Sequence, residues 1–113
     1  MARPTNRASS RYSQDALLLL GRLIRQARLE RKITTAALAE RAGISRGLVQ
    51  RIEKGDPGCA IGAVFEAAAI VGVPLFNAND RSTLGNALAA STGTLALLPK
   101  AARLPKIKAH DAF

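Results

Sequence analysis

An all-α chain of five helices, with a flexible basic arm in front and an extended tail behind, is the fold class this sequence predicts. Two observations carry that expectation. The chain is 48% hydrophobic yet only 4% aromatic, with no Trp. Ala and Leu supply the apolar content, which suits helices packed closely on one another. Apolar residues also recur at spacings of three and four, in segments closed by Gly or Pro. At 113 residues the chain holds one core of ordinary size plus short tails, with no need of disulfides or metal.

The elements follow in order. Residues 1–12 carry Arg3, Arg7 and Arg11 among small polar residues without a period, which reads as a flexible basic arm. Ser13 is the expected N-cap of a first helix running to about Lys32, with Leu17, Leu20, Ile24 and Ala27 as its inward stripe. Leu18, Leu19, Leu23 and Leu29 fall outside that stripe. They either simply favour helix or cover a partner, and both readings stand. Thr34 caps a short second helix over Thr35 to Ala42, and Gly43 follows where a left-handed residue is easiest for glycine. Ile44 fills the turn. Ser45 caps a third helix, residues 46–54, which stops at Gly55 before the Asp56-Pro57-Gly58 turn. A fourth helix covers Ile61 to Val71, closed by Gly72 and Pro74. Its Val64, Ala67, Ala68 and Val71 complete the core with Leu75 or Phe76.

A fifth helix is expected over residues 81–98. Leu84, Leu88, Ser91, Leu95 and Leu98 alternate spacings of four and three, the seam of a helix pair. Gly85 and Gly93 weaken it by ~1 kcal/mol each relative to Ala, so it needs something to lie against. Beyond Pro99 the tail has scattered Lys, Pro105 and no period, and reads as extended when free. The organisation expected is an arm (1–12), a core domain (13–76), a contact helix (77–98) and a flexible tail (99–113).

Seventeen Lys and Arg against eight Asp and Glu give a net charge of +9. On so small a body that excess calls for a polyanionic partner: nucleic acid, an anionic membrane or an acidic protein. The four-leucine run at 17–20 is too short for a signal core or a membrane span. Cys59 is the single cysteine and makes no internal disulfide. The expectation is therefore a cytoplasmic protein with no membrane role. His110 is the single histidine and sits in the tail, and Cys59 has no base nearby in sequence. With no phosphate-cradling Gly loop, metal-ligand cluster or acid pair, no catalytic residue, metal site or cofactor is expected.

The informative unit is TAALAERAGISRGLVQRIEKG, residues 35–55. Two short helices joined by a turn containing Gly form a helix-turn-helix arrangement. At ~100° per residue, Leu48, Val49 and Ile52 share one face of the third helix. Arg46, Gly47, Gln50, Arg51 and Lys54 share the other. Arg pairs with O6 and N7 of guanine, and Gln with N6 and N7 of adenine. Gly47 lets the backbone approach base edges or phosphates. Both helix N-termini suit phosphate binding, and Thr34, Thr35 and Ser45 add hydroxyls there. A polar helix face is ordinarily just solvated. The joined pair with its caps, on a chain of this charge, favours DNA.

These residues carry a resemblance. The stretch 20–76 resembles the Cro/phage-repressor (XRE) class of helix-turn-helix domains, which implies a lambda-repressor-like fold. Its matching elements are Leu20-Gly21, Ile24-Arg25, Arg28, Ile33-Thr34, Leu38-Ala39-Glu40, Ala42-Gly43-Ile44-Ser45, Ile52-Glu53-Lys54-Gly55 and Gly72-Val73-Pro74-Leu75. In that class an Arg of the first helix pairs with the Glu near the end of the recognition helix, here Arg28 and Glu53. The Gln common at the second position of helix two is replaced by Thr35.

The flanks, with LALLPK ending the fifth helix and a basic tail closing on DAF, are similar to antitoxins of the HipB type. These partner a HipA-type kinase toxin and repress their own operon as dimers. The resemblance implies an autorepressor that binds double-stranded operator DNA as a homodimer, with a HipA-like kinase toxin as partner. Leu84, Leu88 and Leu95 are the candidates for dimer or partner contact. The alternatives are a stand-alone XRE-family repressor without a toxin, or an interaction adaptor that keeps the fold without reading DNA.

Overall fold

The structure is a computed structural model that describes residues 9–102 and Leu104. Residues 1–8 of the expected arm, and residues 103 and 105–113 of the expected tail, lie outside the described residues. Five helices and no sheet are present among those described: α1 (Arg11–Glu30), α2 (Thr35–Ala42), α3 (Arg46–Glu53), α4 (Ile61–Val71) and α5 (Arg81–Ala96). The chain divides after Asn79 into two compact units, the first containing α1–α4 and the second α5.

The first helix begins earlier than the Ser13 cap predicts. Ser10 is the N-cap, and its hydroxyl accepts from Ser13 N–H at 3.0 Å. Gln14 reaches back to the Ser9 carbonyl and hydroxyl. The Ser10 hydroxyl therefore takes a first-turn N–H while Ser9 accepts from the Gln14 side-chain amide, and Arg11 and Tyr12 are helical rather than part of the arm. The helix ends at Glu30, short of Lys32, which takes a left-handed φ of 57°.

The buried stripe of α1 is also rotated from expectation. Gly21, Ile24, Ala27 and Arg28 are buried, while Leu17, Leu18 and Leu20 are only half-buried. Gly21 marks a close approach. A Cβ there would run into the carbonyl oxygens of Ile52 and Glu53, the latter at 2.8 Å. A Cβ at Gly55 would lie 2.7 Å from Cα of Leu18. The backbones of α1 and the end of α3 thus meet without side chains between them; Leu20 is half-buried against the core, while Leu17 is half-buried outside it.

The caps and turns of the middle elements agree with the sequence. Thr34 and Ser45 cap α2 and α3, each accepting at 3.0 Å from the N–H three residues on. Gly43 (φ 70°) and Gly72 (φ 84°) close α2 and α4 in the left-handed region. The core joins Ile24 and Ala27 of α1, Leu38 and Ala39 of α2, Val49 and Ile52 of α3, and Val64, Ala67, Ala68 and Val71 of α4. Ile44 and Leu75 pack on its edge. Phe76 does not join it: it is 77% exposed, at φ 56°, with its ring edge-on to Phe65 at 6.1 Å. The third helix ends at Glu53, with Lys54 as its C-cap.

The fifth helix ends at Ala96, two residues before the sequence expectation, with Asp80 as N-cap. It buries none of its own residues.

Candidate DNA-reading surface

The site is built around α3, and its shape follows from where that short helix puts its one acid. Of its eight residues, RGLVQRIE, the single carboxylate is Glu53, and Glu53 is buried together with Val49 and Ile52. Arg28 of α1 holds it with Nε at 2.6 Å from Oε2 and Nη2 at 3.1 Å from Oε1. The remaining Arg28 Nη1 donates to the Ile33 carbonyl at 2.9 Å. The outward face is left with Arg46, Gly47 and Gln50, all exposed, and the exposed Lys54 follows as cap. That surface offers cationic and amide donors and presents no carboxylate of the helix.

Gly47 has no internal reason to lack a side chain. A Cβ there would meet nothing closer than the Ser45 hydroxyl at 3.9 Å. Gly47 is the second residue of α3, and a glycine at an outward first-turn position fits close approach of another molecule to the backbone.

Both helix starts leave backbone donors outside their own helix ladders. At Thr34 and Ser45 the hydroxyl oxygen already accepts a backbone N–H. Each hydroxyl proton is then free to donate outward, to a phosphate oxygen. The first-turn N–H groups of Thr35, Ala36, Arg46 and Gly47 have no carbonyl four residues back within their own helices. Thr35 is half-buried, so it contributes mainly its backbone.

Arg51 stands apart from the other expected contacts. Its Nε donates to Oδ2 of Asp56 at 2.8 Å, and the Asp56 Oδ1 accepts from Gly58 N–H at 2.7 Å. The hydrogen bond to Arg51, and then the one from Gly58, hold the Asp56 carboxyl below its ordinary range. The same contact raises the Arg51 guanidinium. Arg51 is thus tied to the turn after α3. The sequence contains the signal, an Asp five residues after an Arg and two before a Gly, but an Asx turn does not by itself say which cation it captures. Cys59 packs on the core edge, and burial pushes its thiol up, in line with a filler role.

Leu84, Leu88 and Leu95 share one side of α5, which belongs to the second unit, and all are exposed. Among the described residues there is no group of His, Cys, Asp and Glu that could hold a metal ion. No described helix is long and apolar enough to cross a membrane.

Among curated proteins none matches the chain. The model of a family described as "Helix-turn-helix domain" matches residues 19–76. That span takes in the second half of α1 and all of α2–α4, and stops at Phe76, within the turn bridged by Leu75 and Ala78. With the Gly43 turn, the two capped helices and the inward ion pair, it identifies the chain as a member of the helix-turn-helix domain family, of the XRE/Cro-like kind, with residues 19–76 as a non-catalytic fold.

Proposed function

We infer that this protein is a sequence-specific regulator of transcription that reads double-stranded operator DNA with α3. The observation that carries the reading is the inward capture of Glu53, which leaves Arg46, Gly47 and Gln50 as an acid-free outward face. Arg46 and Gln50 fit base-edge contacts in the major groove. The α2 and α3 N-termini, with Thr34, Thr35 and Ser45, fit the flanking phosphates. Lys54 adds charge, and Arg51 acts near phosphate from its tie to Asp56. A homodimer would set two α3 helices in successive major grooves, about 34 Å apart.

The family match supports a stand-alone XRE-type repressor better than a narrower role. The narrower reading is a HipB-type antitoxin with a HipA-like kinase toxin. It draws on the tail resemblance and on the exposed Leu19, Leu23 and Leu29 of α1. Co-purification with the products of neighbouring genes separates the two: a bound kinase supports the antitoxin, its absence the stand-alone repressor.

The DNA reading is tested by repeated selection of random duplexes on the purified full chain. A short enriched motif, bound at least about 100-fold tighter than random duplex, is expected. Retention of all sequences alike, with affinity set by salt alone, would reduce the surface to a non-specific polyanion site.

A further inference from the structure

The outward side of α1 carries a feature that neither the core nor the α3 surface uses. Leu19 is 58% exposed, Leu23 41% and Leu29 53%. From residue 16 to residue 29 the sequence has no carboxylate and three arginines, Arg22, Arg25 and Arg28. Arg28 is buried and bound to Glu53. Arg22 and Arg25 are exposed, and neither makes an ion pair or a side-chain hydrogen bond among the described residues. At ~100° per residue this side is turned away from Gly21, Ile24 and Arg28, which face the core and α3.

The leucines and arginines are arranged, not merely mixed. A hollow of about 330 Å³ is lined by Arg22, Arg25, Gln26, Leu29 and Glu30. Four of these five residues are polar, yet the wall they make is almost wholly apolar. The aliphatic stems and Leu29 therefore form the wall, and the guanidinium groups stand at its rim. Glu30, at the far end, already accepts from Gln26 Nε2 at 3.1 Å. Leu19, Arg22, Leu23, Gln26 and Leu29 also fall at the three- and four-residue steps by which one helix lies along another.

We propose that this face docks an acidic amphipathic helix of another protein, which brings carboxylates to Arg22 and Arg25 and an apolar side chain to the hollow at Leu29. Charge selects the occupant. A second copy of the chain would set Arg22 and Arg25 against their own kind, on a protein that carries +9. Duplex DNA would satisfy the arginines but leave three leucines against phosphate and sugar. An anionic bilayer would cover the leucines but meet the carboxylates of Asp15 and Glu30 as like charges. A helix with leucines and carboxylates on one side meets both halves of the face at once. The face is not that of α3 and serves a repressor with or without a toxin, so this proposal and the DNA reading fail separately.

The isotope-labelled full chain is titrated with a synthetic helical peptide that has Leu at three- and four-residue spacing and Glu beside it. Amide shifts are expected along Leu19 to Glu30 and not along α3. Shifts along α3 instead would show the peptide standing in for DNA phosphate, and would overturn the proposal. Fluorescence anisotropy of the dye-labelled peptide then measures the variants. Arg22→Glu/Arg25→Glu and, separately, Leu29→Ser are each expected to weaken binding at least ~10-fold. All three residues are exposed, so circular dichroism of the variants should match that of the unaltered protein. A twin peptide with Ser for Leu is expected to bind at least ~10-fold more weakly than its parent. Equal binding of the two peptides, or of variants and unaltered protein, reduces the face to bare charge attraction and overturns the docking site. Absence of peptide binding overturns it too, and binding to phosphatidylserine vesicles that the same variants lose would then assign the face to a lipid surface.

Discussion

Arg28 and Glu53 form a buried two-pronged ion pair between α1 and α3, at 2.6 Å and 3.1 Å, and Arg28 uses its remaining nitrogen on the Ile33 carbonyl. No buried side-chain nitrogen or oxygen is left without a partner among the described residues. The pair thus fixes α3 at its C-terminal end and ties the turn before α2 to the same guanidinium.

Glu53→Ala is expected to cost roughly 3–5 kcal/mol, because it strands a buried guanidinium. In a folded unit of this size each kcal/mol is worth about 4–8 °C of melting temperature. Thermal unfolding followed by circular dichroism checks it. The double change Arg28→Met/Glu53→Leu should recover much of the loss, since matched apolar side chains often replace such a pair without penalty. A single-variant shift below about 5 °C would mean that the pair is not what holds α3.

Gly21 and Gly85 make a matched contrast. Both are mid-helix glycines, but a Cβ at Gly21 would collide with the carbonyls of Ile52 and Glu53, while one at Gly85 would meet nothing within 4 Å. Gly21→Ala is expected to destabilise by ~1–3 kcal/mol through overpacking. Gly85→Ala should instead raise helicity, worth up to ~1 kcal/mol to α5. Urea melts of both variants report the two signs, and equal effects would show that the α1–α3 approach is looser than the structure draws it.

The Arg51–Asp56 contact gives a pH dependence with a definite sign. The Asp56 carboxyl is lowered in the folded state, first by Arg51 and then by Gly58 N–H. Its contribution is complete above the unfolded carboxylate value, about 4, and is lost as pH falls through the lower folded value. The difference in melting temperature between the unaltered protein and Asp56→Asn should stay constant from about pH 5 to 8 and close below about pH 4. A difference that closes already near neutrality would assign the effect to another group.

Much of this was legible in the sequence because short-range rules decide it. Thr34, Ser45, Gly43 and Gly72 are caps whose geometry depends on their immediate neighbours, and α2 and α4 have the bounds their spacing predicts. Arg28 and Glu53 were read from the family resemblance, since residues 25 apart have no local signal. What the sequence concealed is of the same long-range kind. Helical spacing alone puts Leu17 inside with Leu20, but only Leu20 packs on the core, and the buried place beside it is taken by Gly21 at its backbone contact with α3. Likewise Arg51 lies on the outward face by angle, but Asp56 in the next turn captures it. The leucine spacing of α5 is also visible in the sequence, but the helix buries none of its residues, so that spacing meets no contact among the described residues.

That capture separates the basic residues of α3 into two kinds. Arg46 and Gln50 are exposed, and neither makes a side-chain hydrogen bond among the described residues. Arg51 would have to leave Asp56 before it could use its full fork on a guanine. Arg46→Ala or Gln50→Ala should therefore cost about 1–3 kcal/mol on the selected site and much less on random duplex. Arg51→Ala should weaken both duplexes by similar factors, as loss of a phosphate contact does, and should flatten the salt dependence. Asp56→Asn, which removes a negative charge beside the reading helix and releases Arg51, should tighten binding to both. Fluorescence anisotropy with the two duplexes at several salt concentrations measures all four variants. If Arg51→Ala instead loses the selected site alone, Arg51 swings away from Asp56 on binding and reads a base. If Arg46→Ala and Gln50→Ala affect both duplexes alike, these side chains touch only phosphate, and specificity resides elsewhere on the surface.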